Sequence, residues 1–210
     1  MKAENSSRVA AIILAAGKST RMGEAKQLLP LGESTVLGLT IANVRRSAVE
    51  EIVLVLGSSA EAIRRQLPGS LLAGLKLVVN SAFEQGMASS LRAGLSALHP
   101  HTDAALIVLA DQPFVRPETL DQLARQHHRA PAQIVIPTYQ GVRGNPVLLD
   151  RSIFPEVMAL EGDVGCRAIF GSHPEGIMNL EVEDEGILLD IDNQEAYQRF
   201  RAESPPHTGE

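Results

Sequence analysis

Residues 14–26, LAAGKSTRMGEAK, crowd two glycines, two hydroxyl side chains and three cations into one short run. Those residue types suit an anionic ligand. Glycine lets backbone N–H groups converge on phosphate oxygens, and lysine or arginine neutralises them. Gly17-Lys18-Ser19 copies the end of a Walker A loop, but that loop needs another glycine five residues before Gly17, and Ile12 stands there. Arg21-Met22-Gly23-Glu24 then brings glycine back within one turn, where a Walker A loop passes directly into a long helix. The run reads as a phosphate-facing loop of another design, with Lys18, Arg21 and Lys26 as its cations.

Two further stretches carry carboxylates. Asp111-Gln112-Pro113 follows the apolar run 104–109, and Asp190-Ile191-Asp192 follows a second one, 187–189. A carboxylate at the end of a strand, facing a basic glycine-rich loop, suits a nucleoside triphosphate with Mg2+. Loop and cations hold the phosphates, and carboxylates hold the metal. Each stretch alone has an ordinary reading. Asp111 could open a turn, and Asp192 could be a charge at the start of the helix that Asn193 caps. The functional reading rests on all three meeting at one sheet edge.

Secondary structure must bring them there. Apolar runs of strand length at 9–14, 52–56, 75–79 and 104–109 alternate with helical periodicity at 36–44, 60–67, 89–98 and 117–128. Run 9–14 is apolar throughout, as a central parallel strand should be. Ser34 is expected to cap the helix at 36–44, Pro68-Gly69 to stop the one at 60–67, and Pro117 to open the one at 117–128. Downstream the pattern is less regular. It suggests short strands at 134–136 and 146–149 around a turn, helical pieces at 153–160 and 166–170, a last strand at 187–191 and a terminal helix. The alternation predicts an α/β fold with a mostly parallel sheet covered on both faces, in one domain over 1–203, with 204–210 a disordered tail. Ligands of such sheets bind at the carboxyl ends of the strands.

Composition narrows the class. The 210 residues are 44% hydrophobic, enough for the core of one domain. A net charge of −6 without a basic block, and 3% aromatics without Trp, argue against a nucleic-acid surface. No run approaches a membrane span, and the start MKAENSSRVAAIIL has too short an apolar run for a signal peptide, so a cytoplasmic location is expected. The single cysteine, Cys166, allows no internal disulfide and reads as a buried thiol.

Together these stretches resemble a known family. Leu14-Ala15-Ala16-Gly17-x-Ser19-x-Arg21-Met22-Gly23-x-x-Lys26 is similar to the signature loop of the MobA-like nucleotidyltransferases, and within them to the molybdenum-cofactor cytidylyltransferases. QLLPLG at 27–32 resembles the continuation of that loop, and NSAFEQGMASSLRAGL at 80–95 the nucleoside-binding segment. LADQP at 109–113 resembles the metal-binding strand end, RGNPV at 143–147 the substrate-side segment, and LDID at 189–192 the closing acidic motif.

The resemblance implies a Rossmann-like three-layer α/β/α sandwich of the nucleotide-diphospho-sugar transferase type. It implies an enzyme that transfers CMP from CTP to the phosphate of the molybdopterin-bound molybdenum cofactor, releases pyrophosphate and uses Mg2+. Carried over by residue, Arg21 and Lys26 are the catalytic cations, on the pyrophosphate and on the α-phosphate. Leu14, Ala15, Ala16, Gly17, Lys18 and Ser19 would bind the nucleotide with Gly86, Ser89 and Ser90, Gly86 allowing close approach of the nucleoside. Asp111 and Asp192 would hold the metal. Arg143, Gly144 and Asn145 would contact the acceptor, and 161–165 resembles a loop near it. An ionised acceptor phosphate needs no protein nucleophile, so the lack of a Ser-His-Asp or Cys-His set fits. A target molybdoenzyme is a further expected partner; nucleic acid and membrane are not.

Alternatives share parts of this pattern. A guanylyltransferase of the same cofactor would use the same phosphate machinery, but its loop usually carries Gly where Ala16 stands. A cytidylyltransferase acting on a sugar, polyol or isoprenoid-precursor phosphate also has the loop. Asp190-x-Asp192 hints at a glycosyltransferase, whose paired acids belong after a central strand and not at the end of a chain.

Overall fold

The computed structural model describes residues 8–17, 25–130 and 132–203. Lys18, Ser19 and Arg21, and the tail at 204–210, lie outside the described residues.

Strand β1 (Val9–Ala15) is buried at every position but Leu14. A short antiparallel hairpin of β2 (Pro30–Leu31) and β3 (Ser34–Thr35) leads into helix α1 (Val36–Arg46). Next come β4 (Glu51–Leu56), α2 (Ala60–Gln66), α3 (Gly69–Leu72) and β5 (Lys76–Val79). Then follow α4 (Met87–Ala97) and β6 (Ala104–Leu109). β1, β4, β5 and β6 run parallel. The second half has α5 (Pro117–Arg129), β7 (Ile134–Tyr139), β8 (Val142–Arg143) and β9 (Val147–Asp150). It ends with α6 (Phe154–Met158), β10 (Ile177–Glu181) and α7 (Gln194–Glu203). The sheet order is β5-β4-β1-β6-β9-β7-β10, with β8 folded back on β7 and β9 antiparallel to both its neighbours.

Side-chain alternation along the strands builds two apolar layers. Ala11 and Ile13 face Leu37 and Ile41 of α1, Ile63 of α2 and Leu120 and Leu123 of α5. Ile12 faces the other way, toward Leu91 and Leu95 of α4 and Val157 of α6. Each such aliphatic side chain contributes roughly 1.5–3 kcal/mol by leaving water. The result is the expected α/β/α sandwich. A third cluster joins Leu31 and Val36 to Ile191, Tyr197 and Phe200, so α7 packs over the hairpin and holds the 190–192 segment under it. Among the described residues no helix is long and apolar enough to cross a membrane. Cys166 is buried, and desolvation raises its thiol pKa to about 11.

Several local expectations change. Thr35, not Ser34, caps α1, its hydroxyl accepting from the Gly38 amide, because Ser34 is taken into the hairpin opposite Leu31. α2 ends before Pro68 as expected, but Gly69 starts another helical turn rather than a loop. Residues 187–191 form no strand: Glu185–Leu188 is a 3-10 turn, and the last strand is β10. That edge strand is only half covered and alternates with Asn179 and Glu181, so it carries little apolar signal. The apolar 187–191 run serves the packing of a buried loop instead.

Candidate active site

The carboxyl end of β1 leads to Ala16 and Gly17, which line a cavity of about 640 Å³ together with Leu14. A 3-10 turn, Lys26–Leu28, returns the chain to the same place. Gln27, only 2% exposed, fastens it there: its amide nitrogen donates to the carbonyls of Ala15 (3.4 Å) and Gly17 (3.2 Å). Sequence reasoning had given Gln27 no role. Two backbone acceptors ten or more residues away leave no local signature.

The anchored turn points Lys26 across the cavity. Its ammonium lies 2.6 Å from Asp111 Oδ2 and 3.0 Å from Asp192 Oδ1. Asp111 stands just beyond β6, where a parallel strand delivers its C-terminal residue to the ligand edge. Asp192 arrives differently, from the loop after Glu185–Leu188, which two devices hold in place. The Ile191 amide donates to the Asp111 carbonyl (2.9 Å), and buried Asp184 clamps the start of the segment to α5. Asp184 accepts from the Arg116 amide (2.9 Å), the Thr119 hydroxyl (2.6 Å) and the Gly186 amide (3.0 Å).

Electrostatics follow from this clasp. Burial works against the charged Lys26, but the Asp111 carboxylate and the hydrogen bonds to both aspartates outweigh it and hold the ammonium pKa above its ordinary value. Burial likewise opposes ionised Asp192, and the Lys26 hydrogen bond and charge overcome it, so its pKa lies below the usual range. Asp190 goes the other way. Burial, then the hydrogen bond and charge of Asp192, then the charge of Asp111, push it upward. Four carboxylates, Glu84, Asp111, Asp163 and Asp192, line the cavity, and Lys26 is the cation among its described lining residues.

The opposite wall is the start of α4. Gly86 adopts φ +96°, a left-handed conformation that L side chains rarely take. A Cβ there would sit 2.5 Å from the backbone of Gly162 and Asp163. Gly86 borders the cavity, and the 161–165 loop packed against it is by itself enough to demand a glycine. That loop caps the helix: Met87 N–H donates to Asp163 Oδ1 (3.1 Å) and Ala88 N–H to the Gly162 carbonyl (3.2 Å). The Met87 and Ala88 amides are therefore already paired within the protein. Ser90 lines the cavity, while Ser89 is buried behind it. Asn80 donates to both hydroxyls, at 2.8 and 3.1 Å.

Arg143, Gly144 and Asn145 are not among the residues lining this cavity. Arg143 is exposed on β8 and donates to Asn179 Oδ1 (2.8 Å). Gly144 lies so close to Ile187 that a Cβ would stand 2.5 Å from its carbonyl oxygen. Asn145 N–H donates to that same carbonyl (3.0 Å), which buried Gln112, next to Asp111, approaches at 3.4 Å. The segment thus touches the acidic edge through Ile187 and Gln112. The structure brings Leu14, Ala16, Gly17, Lys26, Gly86, Ser90, Asp111 and Asp192 to one cavity and holds 143–145 beside it.

Comparison with known proteins bears on this arrangement. Residues 11–177 match the model of the MobA-like NTP transferase domain. The nicotine blue oxidoreductase of Paenarthrobacter nicotinovorans is 30% identical over 91% of this chain and 96% of its own. The molybdenum cofactor cytidylyltransferase of Escherichia coli is 24% identical, with 91% and 94% covered. Among solved structures, Rv0371c of Mycobacterium tuberculosis superposes with a TM-score of 0.84 at 34% identity, covering 94% of this chain and 99% of that one. A complex of Rv0371c with manganese gives 0.80 at 30% identity, over 94% and 100%. The chain belongs to the MobA-like NTP transferase family and is a nucleotidyltransferase.

Proposed function

We propose that this chain is a cytoplasmic, single-domain enzyme that transfers CMP from CTP to the phosphate of the molybdopterin-bound molybdenum cofactor, with Mg2+ and with release of pyrophosphate. The observation that carries the reading is the Lys26 ammonium held at 2.6 and 3.0 Å by Asp111 and Asp192 on the wall of a nucleotide-sized cavity.

Joining one phosphate to another brings two anions together, so positioning and charge neutralisation supply most of the rate. The described cavity is rich in carboxylates, and a triphosphate must enter with compensating cations. Carboxylate oxygens from Asp111 and Asp192 already converge on one cation, here the ammonium nitrogen, and such oxygens suit a hard divalent ion. The manganese complex of the mycobacterial relative supports the same expectation. Asp111 and Asp192 would hold the metal, and the bound ion would supply charge against the phosphate oxygens. Lys26 would serve the α-phosphate, where charge builds in the transition state. Arg21, Lys18 and Ser19 are assigned to the phosphates by the loop they belong to. The Leu14–Gly17 backbone would cradle the triphosphate, and Arg143, Gly144 and Asn145 would meet the acceptor. Cytosine over guanine is supported by Ala16, which stands where the guanylyltransferase loop usually carries Gly. The E. coli relative points the same way.

The test is pyrophosphate release with Mg2+ and each of the four nucleoside triphosphates, with and without molybdopterin cofactor. Turnover selective for CTP and molybdopterin is expected. Turnover with GTP alone, or only with a sugar or polyol phosphate, moves the acceptor or base assignment to the corresponding rival. Pyrophosphate absent with every triphosphate in the presence of molybdopterin cofactor would refute the molybdopterin acceptor.

A further inference from the structure

We infer that Asn80 sets the hydrogen-bond polarity of the α4 wall, so that Ser90 meets the bound nucleoside triphosphate as a donor and the ligand atom facing it is an acceptor. This rests on reading the cavity as the nucleotide site.

The inference follows from where each proton must go. Asn80 continues the sheet beyond β5, its backbone N–H donating to the Leu56 carbonyl at 2.8 Å, so its Cα is fixed. Its side chain is buried, and its oxygen accepts from the Ala82 N–H at 2.9 Å. An amide N–H can only donate, so the atom facing it is Oδ1, and Nδ2 is forced to point the other way. There Nδ2 meets the Ser89 and Ser90 hydroxyl oxygens at 2.8 and 3.1 Å, one for each of its protons. Both serines are therefore acceptors toward Asn80. Ser89 sends its own proton to the Gly86 carbonyl at 2.8 Å, which closes its account within the protein. Among the described residues nothing accepts from Ser90, which is 5% exposed and lines the cavity. Its proton is the one donor in this chain of bonds left for a ligand. A lone pair on a base carbonyl, a ring nitrogen or a sugar oxygen satisfies it; an N–H or amino group placed there leaves two donors opposed. Ser89 and Asn80 are positioning residues, and Ser90 is the contact.

Calorimetric titration of CTP with Mg2+, without acceptor, tests this. Ser90→Ala should weaken binding by about tenfold, the upper end for one neutral hydrogen bond. Asn80→Asp keeps the shape and the Ala82 bond but replaces the donor with an acceptor, drawing the Ser90 proton away from the cavity. It should weaken binding at least as much in the wild-type background, and clearly less when Ser90 is already Ala. Asn80→Ala adds no charge and forms a second arm, with a smaller loss that also shrinks in the Ser90→Ala background. Melting temperatures of all variants separate this coupling from loss of fold. Unchanged affinity in Ser90→Ala, or losses that simply add, would overturn the inference while leaving the nucleotide reading intact. No heat from any triphosphate with the wild-type protein would overturn both.

Discussion

Replacing Lys26 with Met keeps most of the side chain's length and removes its charge, and it should separate two roles of this residue. In the structure the ammonium occupies the position between Asp111 and Asp192 that a divalent ion would need. Lys26 and Asp111 are mostly buried, at 17% and 19% exposure, whereas Asp192 is 47% exposed. A buried charge-assisted hydrogen bond is worth about 1.5–3 kcal/mol and a half-exposed pair about 0.2–1 kcal/mol, so displacing the ammonium costs roughly 2–3 kcal/mol. At 1.4 kcal/mol per decade, that makes metal binding without nucleotide about 30- to 140-fold tighter in Lys26→Met. Turnover should fall by about 10²-fold or more, the usual size for losing one electrostatic stabiliser. Manganese titration followed by electron paramagnetic resonance reads the first quantity, and pyrophosphate release reads the second. Metal affinity unchanged or weakened in Lys26→Met would refute the shared cation position.

Three further outcomes follow from particular contacts. Ile191→Ala removes a fully buried side chain that packs with Leu31, Val36, Tyr197 and Phe200 next to Asp192, and should destabilise the protein by about 2–5 kcal/mol, read by denaturant unfolding, with metal affinity falling alongside. Gly86→Ala puts a Cβ at φ +96° and 2.5 Å from the 162–163 backbone, so hydrogen exchange at the Met87 and Ala88 amides should quicken as the loop lifts. Asp190 has a raised pKa, so stability attributable to it is lost as pH climbs through the interval between its ordinary and its raised value. Metal-free Asp190→Asn should therefore melt higher than wild type at neutral pH, and an equal or lower melting temperature would contradict this. The Asp192 contribution has the opposite sign: its pKa is depressed, so it persists above the ordinary carboxylate range and is lost as pH falls through the lowered value.

The parts of this molecule that were readable in the sequence share a physical cause. β1 and β6 are buried on both faces, so nearly every side chain must be apolar and the strand announces itself. Asp111 drew notice because it follows such a strand while a basic glycine-rich loop follows another, although alone it could have opened a turn. β10 was missed because an edge strand needs only one apolar face, and the 187–191 run was misread because a buried loop can be as apolar as a strand. The supports of the site escaped for another reason. Gln27, Asn80 and Asp184 act through hydrogen bonds to backbone or hydroxyl groups that only the fold brings near. No periodicity marks them, and the same residue types are common on any surface. Gly86 was noticed, but its close neighbour lies 76 residues away and could not be guessed.

The most direct test is a crystal structure with CTP and Mn2+, read by the anomalous signal of the metal. A peak shared by the Asp111 and Asp192 carboxylates and phosphate oxygens, with the Lys26 ammonium withdrawn from both aspartates onto the phosphates, is the predicted result. Lys26 still seated between the aspartates, with metal or triphosphate bound elsewhere, would contradict it.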